Sequence, residues 1–334
     1  MKHRDSPSLT RFNELLALRL DTDAADIFLY WKGRVGLYAL LRALGIGPGD
    51  EVIIPGYTCV VVANAVLYLG AKPVYCDVDS YSFCCSAEAV EQCIGPLTKL
   101  VICQNTYGLS YQVDEIARLA RSRNIYSLED CTHGFGGSYK GRPNGSYCDA
   151  AFYSTQWNKP FSTGIGGFVL VNSPDLASKI RSTNADLVRP RLKDILNLKM
   201  LYIARDSLIT DKTYWTMIGL YRFLSKAGIV VGSSSRDEVS SKRMPLNYFM
   251  RMSVTQARKG IKALKRFDAV QRLRKRNATL YTSFLAMKGK NAVPEAFFPD
   301  HSFCKYPLLV TDKELFFQRA EASRISIGEW FSSP

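Results

Sequence analysis

Acidic residues are in short supply in this chain, 30 Asp and Glu against 44 Lys and Arg, which leaves a formal net charge of +14. Histidine is scarcer still: His3, His133 and His301 are the only three, too scattered in sequence to suggest a metal site. The nine cysteines form no CxxC pair or other metal-ligand spacing, so they read as reduced thiols, mostly buried. Long apolar runs are missing as well. Even the most apolar region offers only the charge-free "TYWTMIGLY", far too short to cross a bilayer. The opening "MKHRDSPSLTRF" has no apolar core of the kind that marks an export signal. Together these absences argue against a metalloprotein and a membrane-spanning protein, and favour a cytoplasmic one.

The excess of positive charge is local. From Lys242 to Arg276, twelve Lys and Arg stand against one acid, Asp268. Val254, Ile261, Leu264 and Leu273 recur there at helical spacing, which predicts an amphipathic helix with a basic outer face. Such a face is either simply solvated or a positive field near the site of an anionic substrate. No aromatic interleaving or nucleic-acid motif accompanies it, so nucleic acid is not the expected partner.

Short β-rich runs alternate with helical patterns through the first half. "EVIIP", "PVYCDVD", "KLVICQ", "IYSLED", "AAFYS" and "GFVLV" read as buried strands, with helices expected over residues 59–69, 86–94 and 113–122. This alternation predicts an α/β fold with a mostly parallel sheet covered by helices on both faces. Ligands of such sheets bind beyond the carboxyl ends of the strands, which singles out Tyr57, Thr58, Asn105, Glu129 to His133, and Ser154. From Ser173 onward the pattern changes, with an apolar helical hairpin over 195–227 and then a smaller C-terminal region.

One lysine stands apart. In "STQWNKPFSTGIGGFVLV", Lys159 has no charged neighbour for several residues on either side. It is either a solvated loop lysine or an amine kept out of bulk water as a nucleophile, which forms Schiff bases with carbonyl cofactors. Asp130, at the end of "IYSLED", either caps a turn or holds a pyridine nitrogen protonated. His133 is either a structural histidine or a polar neighbour of the same ring. Gly33 to Gly36 form a glycine-bearing turn expected to open a helix over 37–44, whose N-terminus suits a phosphate; Arg34 and the Ser154 hydroxyl could add to it.

Taken in order, "GIGPGDEVIIPGYTCVVVANAVLYLGAKPVYCDVD" and "LEDCTHGFGGSYKGRPNGSYCDAAFYSTQWNKPFSTGIGGFVLV" closely resemble the sugar aminotransferases of the DegT/StrS type. The likeness runs from about Gly33 to Ser182 and resumes at "RMSVTQARKGIKALKRFD". It implies a pyridoxal 5′-phosphate (PLP)-dependent transferase of fold type I. A large PLP-binding domain over 1–245, with the insert at 195–227, would be followed by a smaller α+β domain over 246–334 that is short relative to the family. It also implies Lys159 as the Schiff-base lysine, Asp130 as partner of the pyridine nitrogen, His133 beside the cofactor ring, and Ser154, Gly33 and Arg34 at its phosphate. Tyr57, Cys59 and Asn105 are further cofactor candidates, and Asn247 is the candidate for the asparagine that the neighbouring subunit of a homodimer contributes.

The implied reaction moves an amino group from an amino acid, L-glutamate by family analogy, to a nucleotide-linked keto-sugar in polysaccharide or glycan synthesis. Four positions depart from the family. Arg34 replaces Thr or Ser, Cys59 an aromatic ring, and Ile165 a glutamate, while Asn247 falls two places early. Two other readings follow: a non-catalytic PLP-fold protein that binds a sugar nucleotide, and an aminotransferase for a lipid-linked sugar with peripheral membrane contact. A dinucleotide-binding dehydrogenase is not favoured, because "GIGPG" precedes the strand "DEVIIP" instead of following one.

Overall fold

Residues 6–210, 212–226, 244, 245 and 247–328 are described by the structure, a computed structural model. The polypeptide begins with helix α1 (Pro7–Leu20), then strand β1 (Ile27–Tyr30) and helix α2 (Gly33–Ala43). Next come β2 (Glu51–Pro55), α3 (Val60–Leu67), β3 (Lys72–Cys76), α4 (Ala87–Cys93), β4 (Thr98–Gln104), α5 (Val113–Ser122) and β5 (Tyr126–Asp130). A two-strand ribbon, β6 (Ser138–Tyr139) and β7 (Arg142–Pro143), precedes β8 (Ala150–Ser154) and β9 (Gly167–Val171). Helices follow: α6 (Pro174–Thr183), α7 (Leu192–Ile203), α8 (Tyr214–Lys226), α9 (Val254–Lys265), α10 (Phe267–Met287) and α11 (Lys313–Ala322).

Seven strands form one sheet in the order β1-β9-β8-β5-β4-β2-β3. From β3 to β8 every neighbouring pair is parallel, whereas β9 is antiparallel to both β8 and β1. The parallel strands read as nearly unbroken apolar runs because helices bury both faces. Along β2 the side chains alternate: Val52 and Ile54 meet Leu37, Leu40 and Val66 from α2 and α3, while Ile53 faces Val90, Ile116 and Ala117 from α4 and α5. On that second face, farther along the sheet, Phe12 and Leu16 of α1 pack with Ala257 and Leu264 of α9 against Tyr153, Phe168 and Leu170.

Three expectations need correction. Helix α2 does not wait until Leu37: it begins at Gly33, with Lys32 as its extended N-cap. Gly33 is there for closeness, since a Cβ would sit 2.9 Å from the Tyr153 carbonyl oxygen of β8. The basic amphipathic stretch is two helices that meet at Arg266, because the chain turns inward to bury Phe267 beside Phe135 at 5.1 Å. Leu273, expected on the buried stripe, is half exposed. Beyond residue 253 the described residues form helices and irregular segments without a strand. The apolar run Leu308–Val310 lies exposed with no strand neighbour among them, so among the described residues the strands implied for an α+β region are not formed.

Candidate active site

The carboxyl ends of β5 and β8 face the N-terminus of α2 across a cavity of about 170 Å³. Its wall includes Gly33, Arg34, Cys59, Asp130, Ser154 and Lys159. Six of the candidate residues, drawn from four separate parts of the sequence, therefore share one cavity. Thr132, within the stretch Glu129 to His133, also lines it, as do Gln156 and Lys32, which the sequence had not singled out. Gln156 lies two residues past Ser154, and Lys32 directly precedes Gly33.

Asp130 is positioned by the alternation of β5. Its neighbour Glu129 points to the other side, fully buried, and accepts the Gly145 and Tyr147 N–H groups at 2.9 and 3.0 Å, so it is structural. Asp130 accepts the Thr132 N–H at 2.9 Å. Burial pushes the Asp130 carboxyl above its ordinary range, opposed by the Thr132 hydrogen bonds and the charge of Lys159. The carboxylate lines the cavity, where it would face a cation held there.

Lys159 follows a turn after β8, its N–H bonded to the Gln156 carbonyl at 3.1 Å. Loss of water lowers the pKa of its amine; Cys304, Asp130 and Cys59 oppose that shift and Lys305 adds to it. An amine whose pKa is lowered this way supplies more of the free base that nucleophilic attack and proton transfer require. His133 is buried and held well below its usual value by burial first, and then by Lys159 and Lys305, so it is neutral.

At the other end, the N-terminal N–H groups of α2, with the positive end of its dipole, adjoin Arg34 and Ser154. This end is tightly built. A Cβ on Gly167 would lie 2.2 Å from Gly33 Cα, so two backbones touch where side chains cannot fit. The cradle is suited to a phosphate, and the cavity as a whole to PLP.

The remaining candidates lie elsewhere. Tyr57 does not line the cavity; its hydroxyl bonds to that of Tyr107 at 2.6 Å, and the Tyr107 ring lies parallel to His133 at 6.5 Å. Asn105 is buried and donates to the Ser110 hydroxyl at 2.8 Å. Asn247 is exposed in a turn, with a left-handed φ of 58°. Ile165, the position of the missing glutamate, lines the cavity and packs with Trp31, Leu198, Met250, Trp157 and Tyr202. Helix α7 thus covers the loop behind Lys159: Tyr202 donates to the Thr163 carbonyl at 2.5 Å, and a Cβ on Gly164 would strike its ring.

Three residues important for this arrangement were invisible in the sequence because their partners are distant. Gln256, at the start of α9, is buried and donates to the carbonyls of both Trp31 and Ile165, which joins two walls of the cavity. Arg274 of α10 donates to Pro160 O, and Ser302 to His133 O at 2.9 Å. Only the "SVTQ" capping box that starts α9 left a trace.

Residues 31–333 match the DegT/DnrJ/EryC1/StrS aminotransferase family, and the chain belongs to it. A GDP-perosamine synthase of Escherichia coli O157:H7 is 40% identical over 145 residues, which are 43% of this chain and 40% of that protein. The UDP-2-acetamido-2-deoxy-3-oxo-D-glucuronate aminotransferase of Pseudomonas aeruginosa is 39% identical over 45% of this chain and 42% of its own length. The matched region thus spans about two fifths of these curated relatives. Among solved structures, NtdA from Bacillus subtilis with bound cofactor PMP superposes with a TM-score of 0.64 at 21% identity, over 96% of this chain and 61% of that one. That likeness establishes a shared fold. None of the helices among the described residues is long and apolar enough to cross a membrane.

Proposed function

We propose that the protein is a PLP-dependent aminotransferase that moves an amino group from an amino acid, L-glutamate by preference, to a nucleotide-linked keto-sugar. The observation that carries this reading is the single cavity in which Lys159 and Asp130 stand together, with the α2 N-terminus, Arg34 and Ser154 at its other end. The names of the two curated relatives support the nucleotide-linked sugar.

PLP, when bound, supplies an electron sink through its protonated pyridine ring. Asp130 would hold that ring nitrogen in its protonated form, because a buried carboxylate and the cation it faces stabilise each other's charge. The α2 N–H groups, Arg34 and Ser154 would bind the phosphate. Lys159 would hold the cofactor and then, as a free amine of lowered pKa, carry a proton to and from the reacting carbon. Neutral His133 would contribute a polar contact without adding charge.

Residues 246–334 would act as the smaller domain, and the protein would work as a homodimer with shared sites. The exposed turn holding Asn247 supports the second point, since this residue is not part of its own chain's cavity lining. Nine free thiols support a cytoplasmic location.

One observation favours a second reading. Cys59 and Ile165 put small or apolar groups where an aromatic ring and a carboxylate would serve catalysis, as a non-catalytic protein that binds a sugar nucleotide could tolerate. The test is the visible absorbance of the PLP-loaded protein before and after L-glutamate, followed by a panel of keto-sugar nucleotides. Loss of the visible band and amination of a sugar nucleotide support the enzyme. A band that ignores every amino acid supports the second reading.

A further inference from the structure

A segment outside the cavity lining is fastened onto the loops that build it. After the 3-10 turn Glu295–Phe297, Ser302 donates from its hydroxyl to the His133 carbonyl at 2.9 Å and from its N–H to the Gly108 carbonyl at 3.0 Å. Gln271 of α10 holds the Ser302 carbonyl at 2.7 Å. The Cys304 thiol meets the Asn158 carbonyl at 3.8 Å, and the Lys305 N–H reaches the Tyr107 carbonyl at 3.2 Å. Tyr107, His133 and Asn158 lie on the loops that follow β4, β5 and β8, the strand ends where ligands of such sheets bind.

This stitching fixes the backbone of Lys305 at the edge of the site. Its positive charge disfavours protonation of both Lys159 and His133, as a minor cause beside their burial. No carboxylate among the described residues forms an ion pair with it. A second lysine, Lys313 at the start of α11, exerts its field on Tyr57, whose hydroxyl bonds to Tyr107. Arg274 adds positive charge near Lys159, but its guanidinium is committed to the Pro160 and Lys159 carbonyls. The phosphate of the cofactor has its own cradle at α2, beside Arg34 and Ser154.

We propose that Lys305 is a substrate-recognising residue that binds an anionic group of the reactants, with Lys313 reinforcing the field. The inference rests on the aminotransferase reading and deepens it. Both reactants of that reaction are anions: the amino donor through its carboxylates and the acceptor through its diphosphate. A positive charge at the edge of the site attracts either one and adds to the lowering of the Lys159 pKa.

The test uses PLP-loaded protein and two non-reacting probes, succinate for the carboxylates and inorganic pyrophosphate for the diphosphate. Binding is measured by calorimetry for the wild type, Lys305→Met and Lys305→Arg, and retention of PLP is checked by absorbance. Lys305→Met is expected to bind one probe about tenfold or more weakly, as loss of a charged hydrogen bond implies, while Lys305→Arg stays within about threefold of the wild type. Weakened succinate binding assigns the donor's carboxylates; weakened pyrophosphate binding assigns the acceptor's diphosphate. Equal affinities in wild type and Lys305→Met, or no binding of either probe by the loaded wild type, overturn the proposal and leave the aminotransferase reading intact. A wild type that takes up no PLP overturns that reading, and this inference with it. If Lys305→Met fails to load, Lys305→Gln replaces it in the same comparison.

Discussion

Arg274 donates from its guanidinium to the Pro160 carbonyl at 2.8 Å, across 114 positions of sequence. The bond fixes the backbone on the residue directly after Lys159, so a helix of the C-terminal region sets where the reactive amine stands. Arg274→Ala is expected to lower turnover by about 10- to 100-fold, the cost of a misplacement on the order of 1 Å. Cofactor should also dissociate faster. Stopped-flow release of PLP, measured beside kcat, separates this from a general loss of stability: an unchanged release rate contradicts the positioning role.

Asp130→Asn keeps the shape and removes the charge. The Thr132 N–H can still be accepted, but a protonated pyridine would lose its counter-charge. A drop in kcat of at least about 10- to 100-fold is expected, from the value of a charged hydrogen bond, with PLP still bound. Steady-state kinetics together with the absorbance of bound cofactor check this, and wild-type kcat would rule out the role assigned to Asp130.

Gly167→Ala places a methyl group where Gly33 Cα already lies, so α2 must move away from β8 and β9. Overpacking of this kind costs about 1–3 kcal/mol. Because α2 carries the phosphate cradle, PLP affinity should fall along with the thermal midpoint. An alanine variant with wild-type midpoint and affinity would show that the close contact is not needed.

His301 links stability to pH. Its ring stacks on Phe303 at 4.0 Å, and Nδ1 accepts the Phe303 N–H at 2.9 Å. Burial, with Lys275 adding, pushes its pKa down to about 3, while a bond to Gly108 partly opposes the shift. The unfolded chain takes a proton near pH 6.5 and the folded chain does not. The contribution is therefore fully present above pH 6.5 and is lost as pH falls toward 3, on the order of 5 kcal/mol over the whole window. His133 acts in the same direction. His301→Gln should flatten the dependence of the thermal midpoint on pH below 6.5; a slope equal to that of the wild type would refute the linkage.

The parallel part of the sheet was readable because its strands are short apolar runs set between turn residues, and α5 shows the periodicity of a helix over 113–122. Lys159 could be picked out by its isolation from other charges, and Asp130 by its place at a strand end. Periodicity identifies a strand without naming its neighbour, so the antiparallel return of β9 and its pairing with β1 were not foreseeable. Gly33 suggested a turn, although its use is to let α2 approach Tyr153. Gln256, Arg274 and Ser302 act through carbonyls far away in sequence, and a side chain that bonds to backbone leaves no pattern at the partner's position.

The most direct test of the central claim is borohydride reduction of the PLP-loaded protein, followed by mass mapping of the pyridoxyl-labelled peptide, with and without prior L-glutamate. The account predicts a label on Lys159 alone, and its loss once glutamate has been added. A label spread over surface lysines, or no label on Lys159, would contradict it.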